Sequence, residues 1–138
     1  IFKHPEFKFS TPSEVSNEYA GLATLDVPDF MSWADMERDL SAWKGNHLQE
    51  DALDAVFSLK DQVYQTGNKD LLNTWRSLQT SDHFYYMCTK WFSDGDVHKY
   101  FNPYESPYEA YINYQNVLRD FEATLVEETT RTNHEVRI

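Results

Sequence analysis

The residues best suited to chemistry lie together in Ser81-Asp82-His83-Phe84-Tyr85-Tyr86. A carboxylate, an imidazole and two phenols within little more than one helical turn can hold several hydroxyls of a polyol. The aromatic faces would stack on sugar rings. Asp82 falls four residues after Leu78 and, on a continuous helix, extends the apolar stripe of Leu71, Trp75 and Leu78. A charge on an apolar stripe needs a partner, because burying it bare is very costly. The same residues also read as the start of a second helical segment, with Asp82 as its cap and His83 facing solvent.

Other candidates are weaker. Asp94-Gly95-Asp96-Val97-His98 alternates acids as a calcium loop does, but Lys99 stands where that loop requires glycine. Asp96 and His98 are too few to hold a transition metal, and a solvated loop fits them better. Trp33, in Ser32-Trp33-Ala34-Asp35, and Trp43 read first as packed core. Acids are so numerous, 23 in all, that chance carboxylate pairs have no diagnostic value. Retaining glycosidases place two carboxyls about 5 Å apart across a cleft, and a bare bundle of this size offers no obvious cleft. The chain has no nucleophile motif and, with 4 glycines, no glycine-rich phosphate loop. No catalytic residue, metal ligand or cofactor is expected in it.

These residues must be positioned by a single domain, since 138 residues are too few for two ordinary ones. The formal charge of −11 repels phosphate and argues against nucleic acid or an anionic membrane as a partner. Aromatics make up 16% of the chain, which argues against disorder despite the charge. The single Cys88 excludes an internal disulfide and fits a reducing, cytoplasmic setting. No apolar run reaches the roughly 20 residues that span a bilayer, and no signal peptide is recognised. The Ile1-Phe2-Lys3 start, without Met, suggests a piece of a longer polypeptide.

The expected fold is all-α: a bundle of about three longer helices plus a short N-terminal one. Residues 1–10 read as an extended lead-in, 11–126 as the bundle and 127–138 as a polar frayed tail. Thr11-Pro12-Ser13-Glu14 is a capping-box start, and residues 22–31 read as irregular or a short edge strand. Met36 to Trp43 looks helical. His47 to Tyr64 carries an inward stripe through Leu48, Ala52, Val56, Leu59 and Val63, ended by Gly67-Asn68. Lys69 to Phe92 forms the next helical run, kinked or broken at Thr80-Ser81-Asp82. An irregular loop follows at 93–105. Ser106-Pro107-Tyr108-Glu109 repeats the start device, and Tyr111, Tyr114, Leu118, Phe121 and Leu125 form the last stripe.

The run from Thr80 to Tyr104, with Ser32-Trp33-Ala34-Asp35, Glu37 to Trp43 and the Thr11 start, resembles the C-terminal part of α-amylase-like enzymes of glycoside hydrolase family 57. The resemblance extends from about Phe9 to Phe121. It implies a retaining enzyme acting on α-glucans or maltodextrins, with a catalytic barrel elsewhere in the polypeptide and a helical portion packed against it. Neither catalytic carboxylate of that family maps onto this chain, so the chain alone is expected to be inactive. The last conserved region does map: Asp82, with His83 and Tyr86, would face the cleft and hold the glucan. The alternative is a free-standing acidic interaction module. Without the barrel, an aromatic patch that includes residues near Tyr85 and Tyr86 is expected to be exposed, and self-association is expected from it.

Overall fold

The computed structural model describes residues 3–34, 36–90 and 100–135. Asp35, Asp94, Asp96, His98 and residues 93–99 of the expected loop lie outside them. All regular structure among the described residues is helical. No described helix is long and apolar enough to cross a membrane. The chain divides into two units, Ile1–Phe30 and Met31–Ile138, and the short N-terminal helix belongs to the first.

In the first unit, α1 (Pro12–Glu18) starts at a complete capping box. The Glu14 amide donates to Thr11 Oγ1 at 3.3 Å, and the Glu14 carboxylate accepts from the Thr11 amide at 2.7 Å. That backbone bond, reinforced by the Thr11 hydroxyl, lowers the Glu14 pKa. Lys8 pairs with Glu18 at 3.0 Å. No residue of α1 is buried, and residues 20–30 are irregular.

In the second unit, the helix expected from 47 to 64 is two: α2 (His47–Ser58) and α3 (Lys60–Thr66), joined at Leu59. Leu59 keeps helical dihedrals, so the inward stripe passes through the joint without changing face. Gly67 ends α3 in the left-handed region at φ 63°, which glycine enters without steric cost. The Asn68 side chain then caps α4 (Lys69–Ser77), accepting from the Asp70 and Leu71 amides.

The next run breaks. Leu78, Gln79 and Thr80 close it with amide bonds to Thr74, Arg76 and Ser77. Thr80 turns to φ −60°, ψ 130°, and α5 spans Ser81–Tyr85. A β-branched threonine followed by serine favours such a boundary over continued helix. The cap residue is Thr80 rather than Asp82. Asp82 is exposed, so it neither caps α5 nor sits on a buried stripe; His83 is half-buried instead of solvated.

Residues 36–43 form turns where a helix is expected. Arg38 takes φ 55°, and its guanidinium and carbonyl close a loop onto Trp33 O and the Ser32 amide. Side chains supply the remaining bonds: Asp39 accepts from the Ser41 amide at 2.8 Å and from the Ser41 hydroxyl. These bonds hold the Asp39 carboxyl below its usual pKa.

The long helix α6 (Pro107–Glu135) packs on α2 and α3. It continues past 126, so most of the segment read as a frayed tail is helical. Ala110, Tyr114, Leu118, Phe121 and Leu125 enter the core with Val56, Val63, Trp75 and Met87. Each such side chain contributes roughly 1.5–3 kcal/mol by leaving water. The Tyr114 hydroxyl donates to Leu78 O at 2.9 Å, satisfying a carbonyl at the end of α4.

Burial drives the Tyr114 phenol pKa far up, and a hydrogen bond to Asp51 followed by burial raises that of Tyr111. A raised phenol pKa means that the native state holds its proton while the unfolded chain releases it near pH 10. The contribution is therefore complete below about pH 10 and is lost as pH rises toward the folded value. Urea midpoints are expected to fall steeply above pH 10, and Tyr114→Phe to flatten that fall. An unchanged slope in Tyr114→Phe would refute this assignment.

Candidate functional site

At one end of the second unit is a hollow of about 290 Å³, lined by Trp33, Trp43, Ser81, Asp82, Tyr85, Tyr86 and Phe101. Three segments line it, the third contributing Phe101. The loop around 32–45 brings the tryptophans, and α5 with its C-cap brings the hydroxyl, carboxylate and phenol groups.

The aromatic wall is mutually packed. Trp33 and Trp43 meet edge to face at 5.8 Å. Trp33 stacks on Tyr85 at 6.4 Å and 28°. Trp43 and Tyr85 lie 5.8 Å apart at 45°. Tyr85 forms the floor at 7% exposure, whereas Trp33, 71% exposed, offers a free ring surface. Exposed Phe101 packs edge-on against exposed Tyr100 at 4.9 Å. The expected exposed aromatic surface is thus present, although Tyr85 is buried within it and Tyr86 is half-buried.

Asp82 and Tyr86 share this hollow as an i, i+4 pair, with the Tyr86 amide donating to Asp82 O at 3.0 Å. Burial, then the negative charge of Asp82 and the nearby Tyr104, raises the Tyr86 phenol pKa. Tyr86 therefore remains a neutral donor across physiological pH. Tyr104 meets its ring at 5.9 Å, and Asn102 Nδ2 donates to Tyr86 O at 3.1 Å.

His83 is not with them. One residue beyond Asp82 the helix has turned about 100°, and the imidazole packs against Tyr114 at 5.5 Å. There it lines a separate hollow of about 210 Å³ with Leu78, Tyr104 and Asn113. Of the residues singled out in the sequence, Asp82, Tyr85 and Tyr86 line this hollow and His83 does not; Trp33 and Trp43, read first as packed core, line it as well, together with Phe101, which no sequence signal singles out. The signal that could find the tryptophans is the Trp33 and Trp43 pair flanking a turn-rich stretch that ends at Gly45.

The supports behind the walls are polar, and Gln49 among them is fully buried. Gln49, fully buried in the first turn of α2, donates from Nε2 to Ala42 O at 2.8 Å and Phe84 O at 3.0 Å. Its Oε1 accepts from the Gly45 amide at 2.8 Å. Asn46 caps α2 through Oδ1, and its Nδ2 donates to Met87 O at 2.9 Å. Lys90 reaches Glu37 at 3.2 Å and the Ser41 hydroxyl at 2.5 Å, strapping the tryptophan loop to the segment after α5.

A pocket with stacked rings, a serine hydroxyl, tyrosine phenols and a carboxylate can seat an uncharged polyhydroxylated ring. Among the described residues Asp82 is its one carboxylate, whereas glycoside hydrolysis uses a pair. Among the described residues, no group of three or more His, Cys, Asp or Glu side chains could hold a metal ion.

No family model matches the chain, and no solved structure does. A protein of Methanocaldococcus jannaschii named "Putative alpha-amylase" is 35% identical over 132 residues, which covers 88% of this chain. The chain spans only 28% of that protein's length. It is therefore similar to one stretch of a much longer, amylase-named polypeptide.

Proposed function

We propose that this chain is the helical portion of an α-amylase-like glycoside hydrolase of family 57, acting on α-glucans, with its catalytic carboxylates elsewhere in the polypeptide. The carrying observation is the 35% identity to just over a quarter of an amylase-named protein. The pocket supports the same reading. A pyranose ring stacks on Trp33, Asp82 accepts from its hydroxyls, and Tyr86 donates to it. The exposed Trp33, Tyr100 and Phe101 face the catalytic barrel, and in its absence the chain self-associates through them. The single buried Cys88 accords with a cytoplasmic enzyme.

Titration with maltoheptaose, followed by tryptophan fluorescence, tests this reading. Saturable quenching is expected, with Asp82→Asn weakening affinity about tenfold, as loss of a charged hydrogen bond of about 1.5 kcal/mol would. Trp33→Ala is expected to abolish the quenching. A flat titration of the wild-type chain would remove the sugar site. Starch turnover by the chain at enzyme-like rates would overturn its role as a non-catalytic portion.

A further inference from the structure

We infer that Gln49, with Asn46 one turn before it, is the positioning device of the aromatic pocket: a single buried amide sets the spacing of its two walls. The inference rests on the reading of that pocket as a sugar site only for what the spacing serves.

The carbonyls held by Gln49 Nε2 belong to Ala42 and Phe84. Each immediately precedes an aromatic of the wall, Trp43 on one side and Tyr85 on the other. One nitrogen therefore bridges the two backbone positions whose next side chains meet at 5.8 Å. The opposite end of the amide accepts from Gly45, which fixes how the group is turned: reversing it would face an N–H with an N–H and two carbonyls with an oxygen. Asn46 adds a second tie to α5's exit through Met87 O. Asn46 is the N-cap of α2 and Gln49 lies in its first turn, and the helix is anchored in the core through Ala52 and Val56.

Volume alone does not account for this arrangement. An apolar side chain of similar size would fill the site without the cost of burying an amide. What the amide adds is direction, since its bonds converge from two segments about 40 residues apart in the chain. An apolar side chain has no means of registering those segments. A fully satisfied buried polar group of this kind specifies one arrangement among otherwise similar packings.

The test uses the 138-residue chain with Gln49→Met, which keeps the volume and removes the bonds, beside Val63→Ala, a core change away from the pocket. Both variants are expected to lower the urea midpoint. Only Gln49→Met is expected to lose the Trp–Tyr near-ultraviolet circular dichroism, by half or more, and to weaken maltoheptaose at least fivefold. A merely structural role would move the midpoint in both and the aromatic signal in neither; that outcome overturns the inference. If the wild-type chain takes no maltoheptaose, the glucan reading falls while the aromatic signal still decides Gln49. Should Gln49→Met fail to fold, Asn46→Ser keeps the helix cap and removes the Met87 tie. An aromatic signal identical to wild type in that variant overturns the inference as well.

Discussion

Trp75→Ala is expected to lower the unfolding free energy by about 3–5 kcal/mol, the range for removing a large aromatic from a core. The indole is 5% exposed and ties α4 to both α2 and α3. Its Nε1 donates to Val56 O at 2.7 Å, in the last turn of α2, where helix carbonyls lack full internal partners. Its ring meets Phe57 at 6.4 Å and Tyr64 at 6.0 Å, both edge-on, one from α2 and one from α3. Truncation thus opens a cavity, strands a carbonyl and leaves two aromatic rings half-covered. Trp75→Phe separates these effects, because it retains most of the volume and forfeits only the hydrogen bond, about 1 kcal/mol. Domains this size have about 5–15 kcal/mol in total, so the alanine variant should be close to unfolding at 37 °C. Urea denaturation of both variants measures the difference, and a loss below about 1 kcal/mol for Trp75→Ala would contradict this account.

Gly45→Ala is expected to damage both fold and pocket. A Cβ at this position would stand 2.2 Å from Ser41 O and 3.0 Å from Ser41 C. Those are backbone atoms, so no rotamer change relieves the overlap and the turn itself must open. Overpacking of this kind costs about 1–3 kcal/mol and often more when main chain is involved. Opening the turn moves Ala42 and Trp43 and pulls the Gly45 amide from Gln49. The tryptophan signal should therefore change together with the urea midpoint. Gly21, whose Cβ would meet nothing within 4 Å, provides the control: Gly21→Ala should leave both unchanged. Wild-type stability and an intact aromatic signal in Gly45→Ala would exclude the tight turn.

The contrast between these two positions shows what the sequence reveals and why. Local devices are legible. The Thr11 capping box, the left-handed stop at Gly67 and the Tyr114–Leu118–Phe121–Leu125 stripe depend on residues within a few positions of one another. The break at Leu59 is invisible, because the helical dihedrals and the inward stripe continue through it. Met36, Leu40 and Trp43 imitate helical spacing, yet Arg38 in the left-handed region and the Asp39–Ser41 bonds make turns of them. The tail is misjudged for the opposite reason. Its polar composition suggests fraying, but it extends a helix already nucleated and packed. In the site, Asp82, His83 and Tyr86 are named through the family resemblance; Asp82 and Tyr86 line one hollow and His83 lines another, since adjacent helical residues point to different faces. The tryptophan wall depends on Gln49, whose three partners are not signalled by any local pattern.

The placement of α6 at the end of the core has a consequence for biosynthesis. The residues that close the interior, Tyr114, Leu118, Phe121 and Leu125, belong to a segment separated by more than 40 positions from the α2 and α3 surfaces that receive them. A ribosome adds about 5–20 residues per second, so the stretch from Lys90 to Glu135 takes roughly 2–9 s to make at that rate. Throughout that interval the faces of α2 and α3 that receive α6 lack that cover. The nascent chain is an aggregation hazard for seconds rather than for the microseconds in which its individual helices form. Its yield in a cell should depend on chaperone capacity more steeply than the stability of the finished bundle would suggest.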